Sequence, residues 1–342
     1  MAIKLKKINE QVVVVFGASS GIGRITALEF ARRGAKVCVA ARSEEGLKTL
    51  VEEIESNGGE AFYVVADAAE FEQVKTVADK TVERYGRLDT WVHSAAAFMF
   101  ATVELTEPEE YKRLIEVNLL GQIYGAKAAL PHLKKNGGAL IHLSSVEAWR
   151  GTPYQSAYVS SKHGIKGFLQ VLRVELAHEK IPVSVTQILP AAINTPIYDK
   201  GANKMPFKPR AVPPYYHPKI VADAILFAAE NPTEDLIAGG AGVGVVLAER
   251  ISPPLAGWFS EKIGFVGQTT DEKSSGDYAG NLFEPIYGFD TIEGRFSDEQ
   301  FNSDPYTYLK TNPKVKNTLL VIAGGILGGI FIWRKKKRSD KQ

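Results

Sequence analysis

Five apolar residues in a row, Val12-Val13-Val14-Val15-Phe16, run directly into Gly17-Ala18-Ser19-Ser20-Gly21-Ile22-Gly23, and an amphipathic run from Arg24 to Arg33 then stops at Gly34. A continuous β-branched run reads as a strand covered on both faces, as a parallel sheet requires. The glycines let the chain turn sharply and let a ligand approach the backbone. The helix that follows offers free N–H groups and the positive end of its dipole to a pyrophosphate. Strand, glycine turn and helix in this order predict a dinucleotide site floored by Gly17, Ser19, Ser20, Gly21, Ile22 and Gly23.

The alternation continues. Strands are expected at 36–41, 60–66, 88–94, 139–145 and 183–189, each separated from the next by helix-length segments, with a last helix at 218–229 and a short strand at 235–238. Most of the strands are apolar without alternation, which predicts an α/β fold: a doubly wound, Rossmann-type parallel sheet with helices on both faces. Ligands of such sheets bind at the carboxyl ends of the strands, where Asp67, Ser94, Ser145 and Pro190 all fall. At the end of the second strand NAD binders place an acid for the ribose 2'-hydroxyl, but here stand Ala41 and Arg42. A base at this point suits a 2'-phosphate, so NADP is expected over NAD, with Arg24 adding charge. The other reading of Arg42 is the first residue of a solvated loop.

Tyr158 and Lys162 lie four residues apart inside a helix-periodic run at 155–178, hence on one face. A phenol beside an ammonium is suited to proton exchange, because the cation favours the phenolate. By itself the spacing is common on amphipathic helices; its context carries the argument.

With these elements in order, the chain resembles the short-chain dehydrogenase/reductase superfamily over 11–240. The matching elements are Gly17 to Gly23, Asp67, Val117-Asn118, Leu143-Ser144-Ser145, Tyr158 with Lys162, and Pro190 through Thr195. The resemblance implies that Tyr158 is the general acid in carbonyl reduction and the base in alcohol oxidation. It implies that Lys162 lowers the Tyr158 pKa and holds the nicotinamide ribose, that Ser145 binds the substrate oxygen, and that Asn118 supports a water-linked relay to Lys162. The family's serine stands thirteen residues before its tyrosine, which selects Ser145 over Ser144. Thr195 is implied to contact the carboxamide. Two departures stand out: His93-Ser94-Ala95-Ala96 replaces the usual Asn-Asn-Ala-Gly, and Pro190-Ala191 replaces Pro-Gly. His93 reads as a hydrogen-bonded structural residue rather than a catalytic one.

Lys plus Arg number 41 against 39 for Asp plus Glu, so no global field recruits nucleic acid. Cys38 is the only cysteine, which excludes intramolecular disulfides and cysteine metal clusters; no metal is expected. The first ten residues read as no secretory signal.

The organisation expected is a catalytic domain at 1–240, an amphipathic helical extension at 241–265, a polar, loosely ordered linker at 266–316 and a hydrophobic helix with a basic tail at 317–338. The 194–218 stretch, rich in proline and aromatics, reads either as an apolar lid over the substrate or as an ordinary surface loop. Residues 318–333 are uncharged and, at about 1.5 Å per residue, would reach about 24 Å against a ~30 Å hydrocarbon core. They read as a membrane anchor, or as an interfacial segment, with the catalytic domain facing the cytoplasm. The function expected is a membrane-associated, NADP-preferring oxidoreductase acting on a carbonyl or secondary alcohol of an apolar small molecule, with a homo-oligomer possible. The rival is a tethered nucleotide-binding scaffold without turnover, which the 93–96 departure favours.

Overall fold

The structure is a computed structural model that describes residues 3–318. Seven strands, β1 Val12–Phe16, β2 Lys36–Ala41, β3 Glu60–Val65, β4 Thr90–His93, β5 Gly138–Leu143, β6 Val183–Pro190 and β7 Asp235–Ala238, form one sheet. Their order is β7-β6-β5-β4-β1-β2-β3 and every pairing is parallel. The order reverses between β1 and β4, which opens a crevice at their carboxyl ends.

The all-apolar strands feed two cores. Side chains alternate across a strand, so Val13 and Val15 of β1 join one cluster and Val14 and Phe16 the other. The first cluster meets α1 Gly21–Arg32, α2 Glu44–Ser56 and α7 Lys219–Glu230 through Phe30, Leu50 and Ile225. The second meets α3 Phe71–Tyr85, α5 Gly121–Asn136 and α6 Ser156–His178 through Val77, Ala129 and Leu169. Between α3 and α5, α4 Pro108–Ile115 passes through one π-turn, Glu116–Leu120, into α5. This is the Rossmann-type α/β sandwich that the alternation implies.

His93 ends β4, and its register partner on β5 is His142; both are fully buried. The Trp91 indole donates to His93 Nδ1 at 3.4 Å, and His142 Nδ1 lies 2.7 Å from Gln122 Oε1. The His93 ring stacks on Phe16 at 5.1 Å. Burial holds His93 well below its ordinary range and His142 down to about 3. The folded chain therefore keeps both neutral where the unfolded chain takes up protons, below pH ~6.5. Stability present at neutral pH is lost as the pH falls through that value. Urea unfolding should therefore show stability falling as the pH drops from about 7 to about 5, and H93N should make that fall shallower.

Beyond β7 come α8 Ala241–Ile251 and α9 Pro253–Gln268. They pack on the loop after β5: Arg150 pairs with Glu249 at 3.3 Å, Ser260 Oγ donates to the Gly151 carbonyl, and the Gln268 amide donates to that of Pro153. The expected membrane-associated location is corrected here. Among the described residues no helix is long and apolar enough to cross a membrane. α8 and α9 have 11 and 16 residues, short of the ~20 a span needs. The longer α6 carries Lys162, Lys166, Arg173 and Glu175 along its length. The 318–333 segment, on which the anchor expectation rested, lies outside the described residues apart from Thr318.

Residues 269–304, read from the sequence as a polar linker, turn back over the carboxyl edge of the sheet. Gln300–Phe301 pairs in parallel with Tyr215–Tyr216, and Phe296 stacks on Tyr215 with ring centres 4.4 Å apart. Between these ends a strap at 281–296 crosses the crevice. Arg42 donates to the carbonyls of Asn281 and Phe283 at 2.5 and 2.8 Å, and the Gly21 amide donates to that of Thr291 at 2.8 Å. α10 Pro305–Thr311 follows, capped by Asp304, whose carboxylate accepts from the Thr307 amide at 2.8 Å.

Candidate active site

The crevice at the switch point is a cleft of about 350 Å³ that runs from the glycine turn to α8. Its floor is built by the first strand-to-helix turn. Gly17 has φ 91°, a left-handed value that favours glycine, and a Cβ there would drive into the Ala95 backbone. Gly23 packs against the Gly17 carbonyl with no room for a Cβ. Gly23 is thus a packing residue beneath the floor, whereas Gly17, Ser19, Ser20, Gly21 and Ile22 line the cleft itself. Ser20 is the N-cap of α1, yet its hydroxyl makes no cap bond and accepts instead from Lys200 Nζ at 3.0 Å.

Arg42 at the end of β2 and Asp67 after β3 line the adjoining wall. Asp67 is held by Arg113 at 2.5 Å, and Arg113 also donates to the Leu282 carbonyl of the strap. Arg24, expected to add charge here, points the other way, pairing with Glu53 of α2 at 2.7 Å. A helical position one turn along from a glycine turn does not reveal which neighbour its side chain meets; here α2 supplies the carboxylate. Lys200 takes the place at the turn that sequence reasoning had assigned to Arg24. The only cue to it is its position in the segment after Thr195.

At the far end, Ser145, Tyr158, Lys162, Ser94, Pro190 and Thr195 all line the same cleft. Ser145 ends the β5 turn and caps the short helical turn Val146–Ala148, accepting from the Glu147 amide at 3.1 Å. Tyr158 sits in the first turn of α6, its ring edge-on to Phe98 at 5.4 Å. Lys162 Nζ lies 5.1 Å from the Tyr158 ring centre and donates to the Leu143 carbonyl at 3.1 Å. Burial raises the Tyr158 phenol above its ordinary range, the Glu147 carboxylate adds to that, and the Ser145 hydroxyl opposes it. Burial brings the Lys162 ammonium down to about 7, opposed by Glu147. Desolvation thus dominates at the phenol, while Lys162 Nζ lies over the ring and bonds a carbonyl.

Asn118 is fully buried on the π-turn and does not line the cleft. Its side chain accepts from the Ala97 amide at 2.7 Å, donates to the Ala97 carbonyl at 2.9 Å and reaches Ser161 Oγ of α6 at 3.3 Å. It thus locks the turn after β4 to the helix that carries Tyr158 and Lys162. His93 is likewise absent from the cleft wall, in keeping with a structural role.

A strand-to-helix glycine turn at the switch point, with a serine, a tyrosine and a lysine converging in the same cleft, defines a dinucleotide-dependent oxidoreductase of the Rossmann class. Residues 11–205 match the short chain dehydrogenase family, and the chain belongs to it. An uncharacterized oxidoreductase of Bacillus subtilis, YxnA, is 35% identical, the match covering 98% of this chain and 93% of that one. A 3-oxoacyl-[acyl-carrier-protein] reductase of Thermotoga maritima is 32% identical over 66% of this chain and 92% of its own. Among solved structures, an alcohol dehydrogenase from the archaeon Thermococcus sibiricus complexed with 5-hydroxy-NADP is 30% identical with a TM-score of 0.59. That match covers 66% of this chain and 95% of the neighbour.

Proposed function

We propose that the chain is an NADP-preferring oxidoreductase that interconverts a carbonyl and a secondary alcohol on a largely apolar small molecule, with Tyr158 as the general acid and base. The observation that carries the reading is the convergence of Ser145, Tyr158 and Lys162 on one cleft with the glycine turn. The cleft suits a dinucleotide: the turn exposes backbone and two serine hydroxyls, and Lys200 and Arg42 bring positive charge to it. A nicotinamide cofactor bound there supplies the hydride.

The protein's share is orientation and proton supply. Ser145 Oγ holds the substrate oxygen beside the Tyr158 phenol. Tyr158 donates its proton to that oxygen in reduction and takes it back in oxidation. Lys162 and Asn118 support the relay that restores the proton, Asn118 by fixing the backbone under α6. Apolar walls from Phe98, Ile197, Val212 and Pro213 favour a hydrophobic carbon frame.

NADP preference is supported by Arg42 where an NAD site would hold an acid. Stopped-flow absorbance of reduced cofactor with a panel of ketones tests the reading; turnover with NADPH at a higher kcat/KM than with NADH is expected. Arg42→Asp should bring the two cofactors level or reverse them, through KM. An unaltered NADPH:NADH ratio in that variant would remove the basis for the preference, and NADPH binding without turnover on any ketone would favour the scaffold reading.

A further inference from the structure

The cleft wall nearest Ser145 carries a carboxylate that the reaction proposed above does not use. Glu147 follows Ser145 by two residues on the turn Val146–Ala148, and its side chain lines the cleft together with Tyr158 and Tyr198. The Thr152 hydroxyl donates to Glu147 Oε1. That bond steadies the carboxyl group and leaves its second oxygen uncommitted among the described side chains. Burial raises the carboxyl to about 7, and its charge raises both Tyr158 and Tyr198, which line the same cleft.

An acid in this position is costly twice. It is desolvated, and it opposes formation of the Tyr158 phenolate. Its cation neighbour Lys162 is committed to the Leu143 carbonyl, and Arg150 is paired with Glu249 on α8. The cleft that Glu147 lines also carries apolar side chains, among them Val245 of α8, Phe98 and Val212. In a cleft of mixed lining, a carboxylate oxygen without a protein donor fixes the orientation of a ligand that offers it one.

We propose that Glu147 is a specificity-determining residue that selects substrates carrying a hydroxyl in addition to the reacting carbonyl, by accepting a hydrogen bond from it. The inference rests on the carbonyl-reducing reading of the same cleft. In the alcohol form the ligand is a diol: one oxygen faces Ser145 and Tyr158, and the other faces Glu147. A site built to bond a hydroxyl rejects the analogue that lacks it, because the buried acceptor is then left unpaired.

The test compares matched pairs of ketones that differ only by one hydroxyl, with NADPH, in the full chain. The unaltered protein should favour the hydroxylated member. In Glu147→Leu the ratio of kcat/KM for the two should fall about 10- to 100-fold, chiefly through KM, the scale of one hydrogen bond to a charged group. Glu147→Gln keeps an acceptor oxygen and should retain part of the ratio. NADPH fluorescence titration reports whether each variant folds and holds cofactor; should Glu147→Leu fail there, Thr152→Val replaces it and should lower the ratio several-fold. An unchanged ratio in a folded Glu147→Leu or Thr152→Val protein overturns the inference while leaving ketone reduction standing. Absence of turnover on every ketone by the unaltered protein overturns both.

Discussion

Replacing Tyr158 by phenylalanine is expected to lower turnover about 10²- to 10⁴-fold, the usual worth of a positioned general acid, with little effect on NADPH binding. The ring would keep its edge contact with Phe98, so packing changes little and the lost group is the phenol proton. Single-turnover measurement separates this from slow product release; full turnover in Tyr158→Phe would exclude the assigned chemistry. The direction of the phenol's shift adds a pH signature. Burial and the Glu147 carboxylate raise the Tyr158 phenol and favour its protonated form at neutral pH, the form that the proposed reduction would use. Alcohol oxidation needs the phenolate, so its rate should climb with pH while carbonyl reduction should not.

The second large effect is structural. Gly17→Ala forces a side chain onto a backbone at φ 91° and pushes a Cβ into the Ala95 nitrogen and Cα. Strain of that kind costs about 1–3 kcal/mol, and overpacking against a backbone costs a similar amount again. Against a total stability of roughly 5–15 kcal/mol this is a severe loss, and the melting temperature should fall by on the order of 10 °C. Differential scanning calorimetry reads it directly. A melting temperature within a degree or two of the unaltered protein would mean that the turn relaxes freely, and that its glycine is not needed to bring Ala95 close.

The sheet and the meeting of Ser145, Tyr158 and Lys162 in one cleft were legible in the chain because local patterns carry them. An unbroken apolar strand needs cover on two faces, and β1 found it in two separate cores. Tyr158 and Lys162 are one helical turn apart, and Ser145 follows a strand end, so their convergence needed only the parallel order of the sheet. What could not be read was of longer range. Arg24 met Glu53 rather than the cleft, because a helix surface does not announce its neighbour. Lys200 reached Ser20 across 180 positions of sequence. Arg42 and Arg113 hold the strap by its backbone carbonyls, and a carbonyl belongs to every residue type and leaves no mark in a sequence. The membrane reading rested on the apolar run at 318–333, which lies outside the described residues apart from Thr318, and among the described residues no helix is long and apolar enough to cross a membrane.

The strap at 281–296 is encoded after all seven strands of the sheet. A chain made from its N-terminus presents the whole Rossmann unit before the residues that bridge Arg42 and the Gly21 amide exist, and domains fold in that order during synthesis. The cleft is therefore born open at the end beside the glycine turn, and the last part of its wall is added from residues 281–286. A polypeptide cut short after β7 would carry the glycine turn, Ser145, Tyr158 and Lys162 complete, yet would lack the backbone that bridges Arg42 and the Gly21 amide.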